Sequence, residues 1–272
     1  DHAVQAGDPP LLVGVDQEGG TVSRFRFLHE LTAQKDIVDT RTAFLVGLAR
    51  GKELRELGVN VNFSPVLDIA SSSRDFIFSR TFRGDSKRVA QLGEAMIRGY
   101  TQSGIISVGK HFPGHGGTTI DSHKELPVKY STYTKLADDL RPFKKVILAE
   151  VPMVMIGHIQ FPYIDKDYPA SLSPVLIGKI LRTDLGFRGV VITDDLGMGA
   201  VTHAFSLADA GVQAIKAGED ILLVVRSLPE YTVLYTRLKH AVEQGEITEQ
   251  RVDESVRRIL LLKETLKAKN SK

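Results

Sequence analysis

The 272-residue chain contains no cysteine. This absence excludes a disulfide scaffold, a thiolate nucleophile and cysteine-based metal sites. A charge excess is also missing, because 35 basic and 33 acidic residues leave a net charge of +2. That balance indicates no nucleic-acid partner. No apolar run approaches the roughly 18 residues of a membrane span, so we expect none.

The residues that are present suit a globular protein with a large core, since 42% are hydrophobic and 25% are charged. No linker or change of composition divides the chain, so we expect a single domain over residues 1–272. The sequence opens at Asp1 without Met, and we expect a further segment to precede it.

Six short apolar segments predict buried strands at 11–15, 59–63, 104–108, 153–158, 189–193 and 220–225. Helical patterns lie between them at 38–57, 87–103, 132–148, 173–185 and 204–217, and two more helices end the chain. The strand segments are apolar on both faces, which is typical of parallel strands covered by helices. The chain therefore predicts an α/β fold.

Polar residues follow nearly every predicted strand: Asp16, Asp68, His111, His158 and Asp194. An open doubly wound sheet and an eight-fold barrel both fit this order, but no glycine-rich dinucleotide motif follows the first strand. Polar strand ends favour a (β/α)8 TIM-type barrel whose rim carries the chemistry. Only six strands are clear, so we expect one strand–helix unit before Asp1 and one too irregular to recognise.

The stretch Lys110–His123 reads K-H-F-P-G-H-G-G-T-T-I-D-S-H and holds three of the eight histidines. Pro113 and Gly114 forbid a helix here, which excludes a helical zinc pair of His111 and His115. Three interpretations stay open. His111, His115, His123 and His158 could converge on a metal from loops, or they could satisfy backbone groups. Alternatively, Asp121 could orient His123 as a general acid/base.

Asp194 and Asp195 end the strand predicted at 189–193. Successive strand residues point to opposite sides, so only one carboxylate can face a barrel axis. The other could cap the following turn, although both could also cap the next helix. Asp16, Arg24, Arg80 and Lys110 are further polar residues predicted at the rim. A carboxylate beside cationic donors suits a ligand rich in hydroxyls, whereas each arginine alone could be a surface ion pair.

Several motifs together resemble glycoside hydrolase family 3, and within it the NagZ-type β-N-acetylglucosaminidases. They are V-D-Q-E-G-G at 15–20, N-F-S-P-V-L-D at 62–68, R-T-F at 80–82, K-H-F-P-G-H-G at 110–116, D-S-H at 121–123, G-F-R-G-V-V-I-T-D-D-L-G-M at 186–198 and A-G-E-D-I-L-L at 217–223. Gly117 and Thr21 depart from the pattern, where the family usually has Asp and Arg.

The resemblance implies a retaining glycosidase with Asp194 as nucleophile and Asp121 with His123 as the acid/base. It places Asp16, Arg24, Arg80, Lys110 and His111 around the sugar, and His158 at a matching strand end. It implies a carbohydrate substrate bearing terminal β-linked N-acetylglucosamine, peptidoglycan fragments included, and no metal or other cofactor. We expect a cytoplasmic enzyme, with the cell envelope or secretion as alternatives. A metal-dependent barrel hydrolase and a non-catalytic sugar-binding barrel are the other interpretations.

Overall fold

The computed structural model describes residues 9–270, with side chains described as far as Leu266. Its strands are β1 (Gly14–Val15), β2 (Gln17–Gly19), β3 (Val22–Ser23), β4 (Val61–Asn62), β5 (Ile106–Phe112), β6 (Met153–Ile156) and β7 (Val190–Thr193). Its α-helices are α1 (Thr40–Glu56), α2 (Ser86–Ser103), α3 (Tyr133–Leu148), α4 (Gly199–Thr202), α5 (Leu207–Ala217), α6 (Leu228–Glu243) and α7 (Glu249–Asn270). A π-helix spans Val175–Asp184, and short 3-10 helices span Gln34–Asp36, Phe78–Arg80 and Ala170–Leu172.

The main sheet is parallel, with the strand order β1-β4-β5-β6-β7. Strands and helices alternate along the chain, as the sequence predicts, and the α/β class is confirmed. The hairpin of β2 and β3 is antiparallel and follows β1 directly. Parallel order brings the carboxyl ends of all five strands to one edge of the sheet.

Several helices begin or end at capping residues. The side chains of Asp39, Asp85, Thr132 and Ser206 accept hydrogen bonds from backbone N–H groups at the starts of α1, α2, α3 and α5. Gly104 ends α2 in the left-handed conformation at φ 85°. Among residues 9–270, no helix is long and apolar enough to cross a membrane.

The strand predicted at 220–225 is largely wrong. Ile221 makes a single parallel bridge to Ile192 of β7. Two residues further, the N–H of Leu223 donates to the Thr193 hydroxyl at 2.9 Å, and that of Val225 donates to the Asp195 carboxylate at 2.9 Å. For these two N–H groups, side-chain oxygens therefore take the place of strand carbonyls.

The strand predicted at 104–108 is displaced toward the carboxyl end, because β5 runs through Lys110 and His111 to Phe112. All seven of its residues are buried. Lys110 and His111, which were predicted to follow the strand, are thus part of it, and both side chains are buried at the sheet edge.

The two faces of the sheet belong to different cores, which confirms the prediction of two-sided burial. On one face, Met153 and Ile192 pack with Leu262 and Leu266 of α7. The other face packs against α3 and the π-helix, with Phe143 and Ile180 in the same cluster as Val154 and Val191.

The sheet curls around the first of these cores. Leu12, before β1, and Leu223, beyond β7, lie at the two ends of the strand order and yet join the same cluster. Within residues 9–270 no backbone hydrogen bond joins these two ends. A closed eight-fold barrel therefore stays a prediction.

Candidate active site

A pocket of about 110 Å³ lies at the carboxyl ends of the parallel strands. It is lined by Asp16, Val22, Arg24, Phe76, Arg80, Lys110, His111, His115, Ser122, His123 and Asp194. Seven of the nine residues predicted for the site line it; Asp121 and His158 do not. Residues from six separate loops or strand ends thus meet in one small cavity.

Asp194 follows β7 and is half-buried in the pocket wall. Its N–H donates to the carbonyl of Ile156 at 3.0 Å, which continues the strand pairing. Burial alone would raise the pKa of Asp194, but the imidazoles of His111 and His158, the N–H of Asp195 and the Lys110 ammonium lower it below the usual value. The group is therefore a carboxylate near neutral pH.

Asp195 points away from the pocket, as strand alternation predicts. Its Oδ1 accepts hydrogen bonds from the N–H groups of Gly197 and Val225, each at 2.9 Å. One carboxylate of the pair thus supports the turn, and the other is left to face the cavity.

Lys110 and Asp16 form an ion pair at one side of the pocket, with Nζ 2.7 Å from Oδ1. Burial would lower the pKa of Lys110, but the carboxylates of Asp16 and Glu18 outweigh it and raise the pKa. Arg24 is more exposed, and its Nη2 lies 3.7 Å from Asp16 Oδ2. The pocket therefore offers both acceptor and donor groups to a polar ligand.

His111, joined to Lys110 by a cis peptide bond, is held by Asp68. Asp68 Oδ2 lies 2.7 Å from His111 Nδ1, and its two oxygens also accept from the N–H groups of His111 and His115. Burial would raise the pKa of Asp68, but His111 and these hydrogen bonds lower it. A carboxylate can only accept, so Nδ1 carries the proton and Nε2 faces Arg80 Nη2 at 3.4 Å.

Asp121 and His123 form a pair on the loop after β5. Asp121 Oδ1 lies 2.8 Å from His123 Nδ1 and accepts from the His123 N–H at 2.9 Å. Burial would raise the pKa of Asp121, but the hydrogen bonds from His123 and its charge lower it. The carboxylate therefore holds the Nδ1 proton and leaves Nε2 for chemistry, and the imidazole is 63% exposed.

His115 supports this loop from below. Its Nε2 lies 3.1 Å from the Ser122 hydroxyl and its Nδ1 lies 3.1 Å from the Thr118 hydroxyl. Burial lowers the pKa of His115 to about 4. The charge of Asp68 opposes this shift, and the charge of His111 adds to it. His115 is therefore a neutral structural group near neutral pH.

His158 was predicted to bind the ligand because it ends a strand, but it lies outside the pocket lining. Its Nδ1 is 2.7 Å from the Ser171 hydroxyl, and its Nε2 is 2.9 Å from the carbonyl oxygen of Asp195. Both nitrogens are engaged, so the ring supports the Asp194–Asp195 turn. Within residues 9–270, no three His, Asp or Glu side chains are arranged to hold a metal ion.

Sequence reasoning missed Glu18 and Phe76. Glu18 is 1% exposed, and its carboxylate contacts Arg80 and Lys110. Its signal was a second carboxylate in V-D-Q-E-G-G, two residues after Asp16. Phe76 packs its ring 6.2 Å from that of His123, and the short apolar run Phe76-Ile77-Phe78 gave no signal of a site.

The departure at Gly117 has a local explanation. Its N–H donates to Asp75 Oδ2 at 3.1 Å, and the N–H groups of Ser71 and Ser72 donate to the same oxygen. Asp75 thus places a carboxylate from another loop beside this position. Thr21 is exposed in the turn between β2 and β3.

A family model described as the glycosyl hydrolase family 3 N terminal domain matches residues 2–262. A beta-hexosaminidase of Nitrosomonas eutropha is 34% identical over 277 residues, which cover 97% of this chain and 79% of that protein. The beta-hexosaminidase LpqI of Mycobacterium tuberculosis is 36% identical over 273 residues, which cover 96% of this chain and 70% of the relative.

A solved glycoside hydrolase family 3 beta-N-acetylglucosaminidase from Paenibacillus sp. matches with a TM-score of 0.90 and 37% identity. The match covers 94% of this chain and 50% of that chain, so this protein spans half the length of that structure. The curled parallel sheet therefore matches a barrel-like fold of known proteins. With the family model matched over nearly its whole length, the chain belongs to glycosyl hydrolase family 3 and is a glycoside hydrolase.

Proposed function

We propose that the protein is a retaining β-N-acetylhexosaminidase that removes terminal non-reducing β-linked N-acetylglucosamine. One observation carries the proposal: a half-buried carboxylate and a carboxylate-held histidine meet at a single small pocket, Asp194 on the strand end and His123 on the loop. The names of the relatives, beta-hexosaminidase and beta-N-acetylglucosaminidase, support the same substrate class.

In the first step, Asp194 attacks the anomeric carbon and forms a covalent glycosyl ester. Burial raises the pKa of Asp194, but His111, His158 and Lys110 together lower it below its usual value. The group is therefore ionised for that attack. At the same time, the leaving oxygen needs a proton. The protonated imidazole of His123 gives its Nε2 proton to that oxygen.

In the second step, neutral His123 takes a proton from water, which attacks the ester and releases the sugar with its β configuration retained. Asp121 stabilises the imidazolium through the Nδ1 hydrogen bond of 2.8 Å. While the ester exists the imidazole is neutral, and the Asp121 carboxylate stays hydrogen-bonded to the Nδ1 proton instead of facing the ester as a bare carboxylate.

The remaining pocket residues hold the sugar. Asp16 supplies an acceptor, and Arg24, Arg80, Lys110 and His111 supply hydrogen-bonding nitrogens. Alternating donors and acceptors match the hydroxyls of a pyranose ring, each of which both donates and accepts. We propose peptidoglycan-derived fragments as the natural substrates, with water rather than phosphate as the acceptor.

The variant Asp194→Asn tests the nucleophile. We expect at least a ~10³-fold loss of kcat on an aryl β-N-acetylglucosaminide, because an amide cannot form the ester. Binding of N-acetylglucosamine, measured by calorimetry, survives, since the amide preserves shape. Normal turnover by this variant would contradict the assignment of Asp194.

The product identifies the reaction. We expect NMR to detect the β anomer first, with the same rate in phosphate and in a non-phosphate buffer. An aryl β-glucoside serves as the matched control and should be cleaved far more slowly. Initial release of the α anomer would exclude the retaining mechanism, and glycosyl phosphate would change the proposed acceptor.

A further inference from the structure

Glu18 lies behind the pocket wall rather than in it. It belongs to β2, all of whose residues are buried, and it is 1% exposed. Its carboxylate oxygens are 2.9 Å from Arg80 Nε and 2.7 Å from Arg80 Nη2, and one of them is 2.7 Å from Lys110 Nζ. One buried anion therefore contacts two of the cations that line the pocket.

The position of Glu18 is itself fixed. Its carbonyl oxygen accepts from Nη1 of the fully buried Arg50 at 2.6 Å. The next residue, Gly19, has φ +88°, and a Cβ there would lie 2.1 Å from the Thr32 oxygen. Burial alone would raise the pKa of Glu18, but Lys110 and Arg80 lower it to about 2, so the group is anionic.

These contacts determine which donors are left for a ligand. Glu18 takes Nε and Nη2 of Arg80, and within residues 9–270 Nη1 of Arg80 has no acceptor. The Lys110 ammonium lies between Glu18 and Asp16, 2.7 Å from each, which leaves its third proton. Because both side chains line the pocket, the remaining N–H groups are available there.

We propose that Glu18 is a positioning residue, which orients the Arg80 guanidinium and the Lys110 ammonium so that their remaining N–H groups bind the hydroxyls of the sugar. The proposal rests on the proposed function for the identity of the ligand. A purely structural ion pair would stabilise the fold without affecting binding, and the two roles have different consequences.

The test uses Glu18→Gln and Glu18→Asp in the full chain. In Glu18→Gln the amide NH2 must face a cation, so at least one cation turns away from the pocket. We expect KM for an aryl β-N-acetylglucosaminide, and Kd for N-acetylglucosamine by calorimetry, to rise about 10- to 100-fold, with a smaller change in kcat.

A pH readout separates positioning from folding. Removing the negative charge of Glu18 makes Lys110 lose its proton at lower pH, so the alkaline rise of KM moves to lower pH in Glu18→Gln. Glu18→Asp keeps the charge and leaves this limb close to that of the wild type, but one methylene less breaks the two-oxygen contact with Arg80 and raises KM.

Asp220→Asn is the matched control. Asp220 is also a buried carboxylate paired with arginines, Arg182, Arg251 and Arg258, but it does not line the pocket. It should lower the thermal midpoint and leave KM and the alkaline limb unchanged. Folded Glu18→Gln with wild-type KM, Kd and alkaline limb would overturn the proposal.

If Glu18→Gln does not fold, wild-type KM and Kd in Glu18→Asp would overturn the proposal equally. The outcome for the proposed function is separate. A wild-type protein that binds N-acetylglucosamine but cleaves no aryl glycoside would contradict the proposed hydrolysis. In that case, weaker binding of N-acetylglucosamine by Glu18→Gln would still support the positioning role.

Discussion

At the scale of the residue, the proposed acid/base pair of Asp121 and His123 is unusual because its imidazole is mostly exposed. Among residues 9–270, only Asp121 fixes the His123 ring through a hydrogen bond, and the Phe76 ring packs against it at a ring distance of 6.2 Å. A carboxylate rather than an amide at position 121 matters in the proposed mechanism, because the imidazole becomes charged during turnover.

Asp121→Asn should lower kcat about 10²- to 10⁴-fold for a substrate with a poor leaving group, because the imidazolium loses its counter-charge. A dinitrophenyl leaving group needs little protonation, so its release should change much less. Values of kcat/KM for both substrates measure the difference, because kcat/KM covers only the steps up to leaving-group release, whereas the later attack of water also uses His123. The exposed Asp138, paired with Arg141, gives the control Asp138→Asn, and equal losses on both substrates would contradict an acid role.

At the scale of the element, the loop of residues 113–125 is tied to its surroundings at several points. The N–H of Phe76 donates to the carbonyl of Thr118 at 3.0 Å, and the N–H of Gly199 donates to that of His123 at 3.0 Å. Gly116 packs so tightly that a Cβ would lie 1.8 Å from the backbone oxygen of Ile69.

Gly116→Ala should therefore push the loop away from residue 69 and misplace His123. We expect kcat to fall roughly 10- to 100-fold, because small misplacements of a catalytic group are costly. The free energy of unfolding should fall by about 1–3 kcal/mol. Gly178→Ala in the π-helix is the control, since nothing lies within 4 Å of its added Cβ. Wild-type kcat in Gly116→Ala would show that loop position does not matter.

At the scale of the whole molecule, one carboxylate links α7 to the sheet, in addition to the apolar contacts of that helix. Asp220 accepts from Arg182 of the π-helix and from Arg251 and Arg258 of α7, and also from the N–H of Val191 in β7. Its neighbour Glu219 is fully buried, and in the part of the chain that the structure describes neither of its carboxylate oxygens has a hydrogen-bond partner. Burial, followed by the charge of Asp220, raises the pKa of Glu219 well above its usual value.

Glu219→Gln should therefore stabilise the protein at neutral pH. Below about pH 4.3 Glu219 is protonated in both states, so the two proteins differ little. As pH rises, the unfolded chain ionises first. The wild type then loses up to about 1.4 kcal/mol per pH unit relative to the variant, until the raised pKa is reached.

Chemical denaturation at several pH values measures this difference. The exposed Glu56 provides the control Glu56→Gln, which should follow the wild type at every pH. A constant offset between Glu219→Gln and the wild type from pH 4 to 8 would contradict a buried, protonated Glu219.

Much of the site was predictable because it lies at strand ends, and strand ends follow from local hydrophobic patterning. Asp194 and Lys110 were placed at the rim in this way, and alternation along the strand separated Asp194 from Asp195. The role of His158 was not predictable, since its place outside the pocket depends on Ser171 and the Asp195 carbonyl. Phe76 was not predicted because nothing in the run Phe76-Ile77-Phe78 distinguishes a ring at the pocket from an ordinary packing residue.

By itself, the sequence determined the α/β class, the approximate strands and the family, since these depend on periodicity and on motifs of neighbouring residues. Only the tertiary structure decided which charges meet. Arg80 and Glu18 are 62 residues apart, and Lys110 and Asp16 are 94 apart, so their pairing depends on strand order and curl. Burial then turned Glu18 from one more acidic residue into the anion shared by two pocket cations, because a charge inside a protein requires a partner.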